Sequence, residues 1–340
     1  MPGRHPARCV TFDVGGTSVR AARYDPLQRT VTQVVHRATP SHRALPDCSI
    51  EELREQLFAA LDDVTRELLG AEMPDLVGFA FPGPIDPQGN VLSVPTVFGS
   101  RAEAPRPIGR ELAARWPGVE IVLMNDVTAA GYYYLQRPDE SFCITTVSSG
   151  VGNKVFVDGR PIVGPGGRGG EIGHIVVDPS PDAPLCDCGG RGHLGGIASG
   201  RGALDAVRRA AARDAAGFRG SALVASTGGS ADRITNEAIV AAFHAGDAWV
   251  IGHISRVTAH LARVLASIHN AIGIERFVIM GGFALALGEG YRKLLADLCS
   301  QSTWNLGQDW QQMVELAAGG EHAGLNGAGR AAMQHWEARA

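Results

Sequence analysis

The segment VTFDVGGTSVRAARY, residues 10–24, contains two apolar-rich runs separated by a glycine pair. VTFDV and VRAARY are typical of β-strands, and Gly15-Gly16-Thr17 is typical of a tight turn in which glycine supplies a positive φ. The segment therefore predicts a β-hairpin. At its tip, bare backbone amides could cradle phosphate oxygens, Thr17 could donate a hydroxyl, and Asp13 could hold Mg²⁺ through water. A plain glycine turn explains the same motif equally well.

The same pattern occurs a second time further along the chain. The strand-like CITTV, residues 143–147, precedes SSGVG, residues 148–152, and the hairpin-like KVFVDGRPI follows. In this turn Ser149, Gly150 and Gly152 could clamp the distal phosphates of a nucleotide from a second lobe. Small residues are common in any turn, so the motif has an ordinary explanation as well.

Three other apolar runs end in residues that suit a ligand site. LVGFAF runs into Gly83, IVLM runs into Asn125-Asp126 before a helix-like segment, and ERFVIM runs into Gly281-Gly282. Buried strands of this kind deliver functional residues at their carboxyl ends. Asp126 could take a proton from an attacking hydroxyl or could cap the helix. The glycine pair could admit adenine or ribose, or could permit close packing of strand and helix.

Helical periodicity appears in two long segments. Ser49 and Glu52 form a capping box, and apolar residues recur at helical spacing from there to Gly70. Thr235 is a predicted N-cap for a second helical region, in which residues 251–268 carry a core-facing apolar stripe.

The order of strands and helices predicts an α/β protein with two lobes and a cleft between them. We expect residues 1–124 to form the N-terminal lobe, completed by a C-terminal helix at about 325–340. Residues 125–324 are expected to form the second lobe.

The composition excludes several classes of function. The chain has 340 residues, 45% hydrophobic and 19% charged, and a formal net charge of -4, which gives no basic footprint for nucleic acid. No apolar run reaches membrane-spanning length, and the start lacks the apolar region of a secretion signal. These features favour a cytoplasmic globular protein with small-molecule partners.

A short stretch of the second half concentrates groups that bind metals and hydroxyls. His174, Cys186, Cys188 and His193 fit a tetrahedral Zn²⁺ site, and in a cytosolic chain the close cysteine pair favours metal over a disulfide. Glu171 and His174, three residues apart, suit vicinal hydroxyls, although two such residues could equally be surface groups.

Taken in order, these motifs resemble the ROK family (repressor, open reading frame, kinase), which includes glucokinase, fructokinase and N-acetylmannosamine kinase. The most specific part is GEIGHIVVDP, residues 170–179, followed by CDCGGRGHLGGIASG, residues 186–200, which is similar to the zinc motif of the family. The resemblance implies a two-lobed actin-like ATPase (ribonuclease H-like) fold and an ATP-dependent sugar kinase. Family members often form homodimers or homotetramers.

The resemblance also implies roles for individual residues. Asp126 matches the catalytic base, and the zinc ligands match His174, Cys186, Cys188 and His193. Substrate hydroxyls would be held by Gly83, Asn125, Asp126, Glu171 and His174. Residues that match the ATP and Mg²⁺ motifs are Asp13, Gly15, Gly16 and Thr17 in the first phosphate motif, Ser149, Gly150 and Gly152 in the second, and Gly281 and Gly282 in the adenosine motif.

Several positions depart from the family pattern. His193 replaces the third zinc cysteine, and Gly195 replaces a glutamate that grips hydroxyls near the anomeric carbon. Thr96 replaces an asparagine that is common in the sugar kinases. The second phosphate motif reads Ser-Ser-Gly where the family usually has Gly-Thr-Gly, and Asn153-Lys154 stand where small residues are usual. Since losing a hydrogen-bonding group changes substrate choice strongly, we do not expect plain glucose to be the natural substrate. Some glucokinase-like members of the family phosphorylate C7-cyclitols, which lack an anomeric centre, and the resemblance to these members implies a C7-cyclitol as substrate. Lys154 is interpreted as an exposed lysine at a strand end, outside the site.

Two other functions fit parts of the pattern. Sugar-responsive repressors of the family read DNA through an added N-terminal helix-turn-helix. Because the sequence reaches Asp13 almost at once, we do not expect a helix-turn-helix here. A non-catalytic sugar-binding or sensing protein would explain the altered second phosphate motif, but both Asp13 and Asp126 are present.

Overall fold

The structure is a computed structural model that describes residues 6–99, 105–320 and 322–339. It consists of two compact units: residues 1–138, 161–169 and 319–340 belong to the first, and residues 139–160 and 170–318 to the second. The sequence places this division at 124/125, whereas the structure places it at 138/139. The reason is that helix Asp126–Tyr134 packs against the C-terminal helix, Ala323–Glu337, and stays with the first sheet.

The first unit is built on a five-stranded sheet in the order β3-β2-β1-β4-β5. β1 and β2 are antiparallel with Val14 opposite Val19, which confirms the predicted hairpin. β1, β4 and β5 run parallel to one another. The strands are β1 Cys9–Val14, β2 Ser18–Asp25, β3 Thr30–Ala38, β4 Leu76–Phe81 and β5 Glu120–Asn125.

Helices cover this sheet. The capping box is confirmed at the first helix, where the side chain of Ser49 accepts from the Glu52 amide and the Glu52 carboxylate accepts from the Ser49 amide at 2.7 Å. The apolar stripe of that helix packs into the core of the unit. Besides the C-terminal helix, the helices are α1 Ile50–Leu69, α2 Pro95–Phe98, α3 Ile108–Arg115 and α4 Asp126–Tyr134.

The second unit has a sheet of the same form, in the order β8-β7-β6-β9-β10. An antiparallel pair, β6 and β7, again lies beside a parallel pair, with β6 parallel to β9 and β9 parallel to β10. The two units therefore repeat one topology, which the recurring glycine hairpin in the sequence indicates. The strands are β6 Phe142–Val147, β7 Val151–Val157, β8 Arg160–Pro161, β9 Phe277–Met280 and β10 Val314–Leu316.

The second unit is richer in helices than the first. Thr235 caps a helix as predicted, but that helix ends at His244, and the long apolar stripe lies on a separate helix capped by Asp247. The helices are α5 Leu194–Ile197, α6 Gly200–Arg213, α7 Ala215–Gly220, α8 Leu223–Thr227, α9 Asn236–His244, α10 Ala248–Ile272, α11 Gly282–Gln301 and α12 Trp310–Met313. Within the described part of the chain, no helix has the length and apolar character needed to cross a membrane.

Candidate functional site

In the first unit, the candidate residues lie at or just after the carboxyl ends of three parallel strands. Asp13 of β1 lies level with Ala80 of β4, and Phe81 of β4 lies level with Asn125 of β5. The carboxyl ends of parallel strands share one edge of a sheet, where ligands of α/β proteins commonly bind. The first phosphate turn, Gly83 and Asn125-Asp126 are thus brought to a common edge.

The first phosphate turn is closed by hydrogen bonds within the unit. The Gly15 amide donates to the Ser18 carbonyl at 2.8 Å, and the Thr39 hydroxyl donates to the Gly15 carbonyl at 2.7 Å. The expected positive φ is wrong for this turn, since neither Gly15 nor Gly16 adopts one. Glycine is needed at position 16 for space, because a Cβ there would lie 2.9 Å from the carbonyl oxygen of Thr96.

Asp13 is 7% exposed and is paired across the hairpin with Arg20, whose Nη2 donates to Oδ2 at 2.5 Å. Burial raises the pKa of the Asp13 carboxyl, and the neighbouring guanidinium opposes this rise. The C-terminal helix lies close on another side, where a Cβ on Gly324 would be 2.4 Å from Oδ2. Arg20 was not predicted from the sequence, although the hairpin register places the two charges opposite each other.

Asn125 and Asp126 have different roles at the start of α4. Asn125 caps α4, since its Oδ1 accepts from the amides of Val127 at 3.0 Å and Thr128 at 3.2 Å. Asp126 is half-buried, and its Oδ1 accepts from the Val127 amide at 2.8 Å and from Asn125 Nδ2 at 2.9 Å. The carboxylate is therefore oriented by two donors at the start of the helix, which suits a general base.

Gly83 has a requirement for glycine that the sequence alone does not reveal. Its φ is 89°, and a Cβ would lie 1.9 Å from the carbonyl oxygen of Ser93. The Gly83 carbonyl accepts from Asn125 Nδ2 at 3.0 Å. The loop after β4 is thereby held against the residue that precedes Asp126.

In the second unit, the other two glycine motifs adjoin each other. Residues 148–150 form the turn between β6 and β7, with Ser149 exposed, and a Cβ on Gly150 would meet nothing within 4 Å. Gly152 lies on β7 opposite Thr146. Gly281 has a φ of 99°, and a Cβ there would lie 2.6 Å from the carbonyl oxygen of Val147 at the end of β6. Gly282 begins α11.

Glu171 and His174 lie on a short turn of 3-10 helix, Ile172–His174, where the His174 amide donates to the Glu171 carbonyl at 3.0 Å. Lys154 is not an exposed strand-end lysine, so that interpretation is wrong. Its side chain is 2% exposed, and Nζ lies 2.8 Å from Glu171 Oε1. The strand continues beneath the turn, and residue 154 faces that turn instead of solvent.

Four predicted metal ligands lie together in the second unit. One ligand atom from each of His174, Cys186, Cys188 and His193 lies within 4.8 Å of the others. Cys186 Sγ is 3.8 Å from His174 Nδ1, and Cys188 Sγ is 3.2 Å from His193 Nδ1. Tetrahedral zinc with bonds of about 2.0–2.3 Å separates its ligands by about 3.3–3.8 Å. Donor types and spacing therefore fit Zn²⁺.

The chain matches the ROK family over residues 9–335. It belongs to the ROK family. A C(7)-cyclitol 7-kinase of Streptomyces hygroscopicus subsp. jinggangensis (strain 5008) is 43% identical over 298 residues, which cover 86% of this chain and 84% of that protein.

Solved ROK structures share the fold. The ROK glucokinase of Streptomyces griseus in complex with glucose and AMPPNP has a TM-score of 0.69 at 22% identity, covering 96% of this chain and 100% of that one. The ROK hexokinase of Thermus thermophilus has the same TM-score at 26% identity, covering 96% and 98%. The expected fold class, the actin-like ATPase fold of ROK sugar kinases, is therefore confirmed.

Position 195 is tightly enclosed. This ROK protein has glycine there instead of the expected glutamate. Gly195 is buried in α5, and a Cβ there would lie 3.1 Å from the Gly173 carbonyl oxygen and 3.7 Å from the Val151 amide nitrogen. The first contact is closer than ordinary van der Waals packing, so the Gly173 backbone would have to shift to accept any side chain. A side chain at this position would therefore require the Gly173 carbonyl to move by a few tenths of an ångström.

Proposed function

We propose that this chain transfers the γ-phosphoryl group of ATP to the hydroxyl at position 7 of a C7-cyclitol. It is an ATP-dependent carbohydrate or cyclitol kinase of the ROK family. The observation that carries the choice of substrate is the 43% identity with a C(7)-cyclitol 7-kinase over 86% of the chain. Gly195 supports it, because a carbocyclic substrate has no anomeric centre for a glutamate to grip.

In this proposal Asp126 is the general base. Its oriented carboxylate takes the proton of the attacking hydroxyl, and the oxygen then attacks the γ-phosphorus in line with the leaving ADP. Asn125 positions the base, and the Gly83 loop and Asn125 contact hydroxyls of the substrate. Glu171 and His174 are assigned to further hydroxyls of the substrate, and these contacts would fix the orientation of the ring.

The phosphate chain of ATP is assigned to the glycine turns. Backbone amides at residues 15–17 and 149–152 would donate to phosphate oxygens, and Gly281 and Gly282 would lie against the adenosine. Bound Mg²⁺ would supply charge neutralisation of the phosphates. Asp13 would orient its water shell, and Arg20, whose Nη2 lies 2.5 Å from Oδ2, favours the ionised form of that buried carboxyl against the effect of burial.

Zinc is proposed as a structural ion. Thiolates from Cys186 and Cys188 and imidazoles from His174 and His193 would hold it, and one ring nitrogen of His174 would remain for a substrate hydroxyl. Metal binding would then fix the turn that carries Glu171. A cytoplasmic location and a homodimeric or homotetrameric assembly are further proposals that rest on the family resemblance.

A screen of ATP consumption tests this function. The purified protein is supplied with ATP, Mg²⁺ and, one at a time, hexoses, amino sugars and C7-cyclitols. We expect ADP formation with the cyclitols, and product analysis should place the phosphate at position 7. ADP formation with hexoses alone would overturn the choice of substrate.

A further inference from the structure

Lys154 is a buried cation in direct contact with a proposed substrate residue. Its side chain on β7 is 2% exposed, and its Nζ donates to Glu171 Oε1 at 2.8 Å and to the Gly170 carbonyl at 3.2 Å. A buried ammonium is strongly unfavourable unless a counter-charge and hydrogen bonds accompany it. The structure supplies both from the turn that carries Glu171.

The backbone of this turn is shaped to admit the lysine. Gly170 has a φ of 78°, and a Cβ there would lie 2.7 Å from Lys154 Cδ. A Cβ on Gly173 would lie 2.1 Å from the Val151 carbonyl oxygen, so the turn lies directly on β7. The Ile172 amide donates to Asn153 Oδ1 at 3.3 Å. Two adjacent residues of β7, Asn153 and Lys154, thus hold the turn by their side chains.

Glu171 keeps a partly accessible carboxylate although one of its oxygens binds the lysine. Its side chain is 30% exposed, compared with 2% for its partner. An ionised carboxylate only accepts hydrogen bonds, so a substrate hydroxyl that meets it must donate. Glu171 therefore presents a hydrogen-bond acceptor in a fixed position. Lys154 already balances its negative charge.

We propose that Lys154 is a positioning residue that makes Glu171 select uncharged polyols over cationic amino analogues. This inference rests on the proposed role of Glu171 in binding substrate. An unpaired carboxylate would attract an ammonium group strongly, whereas a carboxylate already neutralised by Lys154 offers little gain to a second cation. With Gly195 in place of a glutamate, that position adds no second carboxylate. The substrate class that fits is a neutral polyhydroxylated ring.

The test compares Lys154→Met with the wild type on a matched pair of substrates. One substrate is a neutral C7-cyclitol, and the other is its analogue with one ring hydroxyl replaced by an ammonium group. Methionine keeps the apolar stem and removes the charge. We expect the ratio of kcat/KM, amine over neutral, to rise by about tenfold or more, the effect of one charge-assisted hydrogen bond. The KM for ATP should be nearly unchanged, because the proposed role of Lys154 concerns the acceptor substrate and not the nucleotide.

Lys293→Met is the matched control, because Lys293 is an exposed lysine of α11 in the same unit. It should leave both substrates unaffected. An equal loss with both substrates in Lys154→Met would show that the lysine only supports the fold, and would overturn the proposal. Lys154→Arg, which keeps the charge, should retain the wild-type preference for the neutral substrate.

The double variant Lys154→Met/Glu171→Gln tests whether the charge of Glu171 causes the preference for the amine. It also replaces Lys154→Met if that single variant fails to fold. It buries no unpaired charge at this pair and should lose affinity for the neutral cyclitol without gaining preference for the amine. A preference for the amine in the double variant would overturn the proposal. If the wild type phosphorylates a neutral hexose instead of a cyclitol, the proposed choice of substrate is wrong. The role of Lys154 is then tested by the same comparison, made with that hexose and its amino analogue.

Discussion

The side-chain amide of Asn125 donates a hydrogen bond to the carbonyl oxygen of Gly83 at 3.0 Å. This bond joins the last residue of β5 to the loop that follows the neighbouring parallel strand β4. The same amide donates to Asp126 Oδ1, and the carbonyl oxygen of its side chain caps α4. Asn125 thereby fixes the Gly83 loop, the start of α4 and the Asp126 carboxylate.

Replacing Asp126 by asparagine should remove turnover and preserve nucleotide binding. The amide cannot take a proton, so kcat should fall by about a hundredfold to ten-thousandfold, the usual worth of general base catalysis. ATP affinity, measured by calorimetry, should be nearly unchanged, because the glycine turns assigned to ATP do not depend on that proton. Asp63→Asn, at an exposed carboxylate of α1, is the control. Activity within tenfold of the wild type in Asp126→Asn would exclude this residue as the base.

Substitutions of Asn125 should separate its capping role from its contact with Gly83. Asn125→Ala removes both, and we expect a loss of about 1–2 kcal/mol in the free energy of unfolding together with lower kcat/KM. Asn125→Ser keeps a capping oxygen but lacks the amide donor, so stability should be largely retained while kcat/KM still falls. Urea denaturation and steady-state kinetics provide the two measurements. Wild-type kinetics in Asn125→Ser would mean that the bond to Gly83 has no part in the site.

The Cys/His cluster should hold one zinc ion per chain in the purified protein. Cys188→Ser should lower the zinc content and the Tm, whereas Cys48→Ser, outside the cluster, should change neither. Burial raises the pKa of the Cys186 thiol, and zinc binding requires its thiolate, so the metal should be lost more readily as the pH falls. Metal analysis and thermal unfolding check these results. Zinc content unchanged in Cys188→Ser would remove that residue from the ligand set.

Introducing glutamate at position 195 should lower the stability and activity of this protein instead of turning it into a glucokinase. The Cβ would press on the Gly173 carbonyl at 3.1 Å, and overpacking of this kind costs about 1–3 kcal/mol. We expect a lower Tm and a lower kcat/KM for the C7-cyclitol. Gly195→Ala, which adds the Cβ alone, separates crowding from the effect of charge. Improved use of glucose with unchanged Tm would show that the backbone here does not depend on glycine.

Much of the fold could be predicted because local chemistry and tertiary structure agree. The hairpin of β1 and β2, the capping box at Ser49 and the strands before Gly83 and Asn125 each combine a periodic apolar pattern with a strong turn or cap residue. The sequence does not indicate the edge strand β3, because TVTQVVHRA lacks a clear alternation of apolar and polar residues, and the structure leaves much of this strand exposed. The division at 138/139 depends on α4 packing against a helix about 200 residues away, which no local pattern encodes.

Features of the candidate site that depend on distant contacts were missed. The burial of Lys154 cannot be read from the local sequence, because its partner, Glu171, lies 17 residues away on a turn that folds over the strand. The glycine at position 16 is explained by the carbonyl of Thr96, not by its own φ. Arg20 could have been found, since the hairpin register pairs it with Asp13. The motif residues themselves stay predictions of function that mutagenesis can test.

A competition experiment tests the central claim most directly. Equal concentrations of glucose and a C7-cyclitol are offered to the protein with limiting ATP and Mg²⁺, and the two monophosphates are quantified by mass spectrometry. The account predicts that cyclitol 7-phosphate exceeds glucose phosphate by about tenfold or more, the discrimination expected from one missing or added polar contact. A product mixture dominated by glucose phosphate would contradict it.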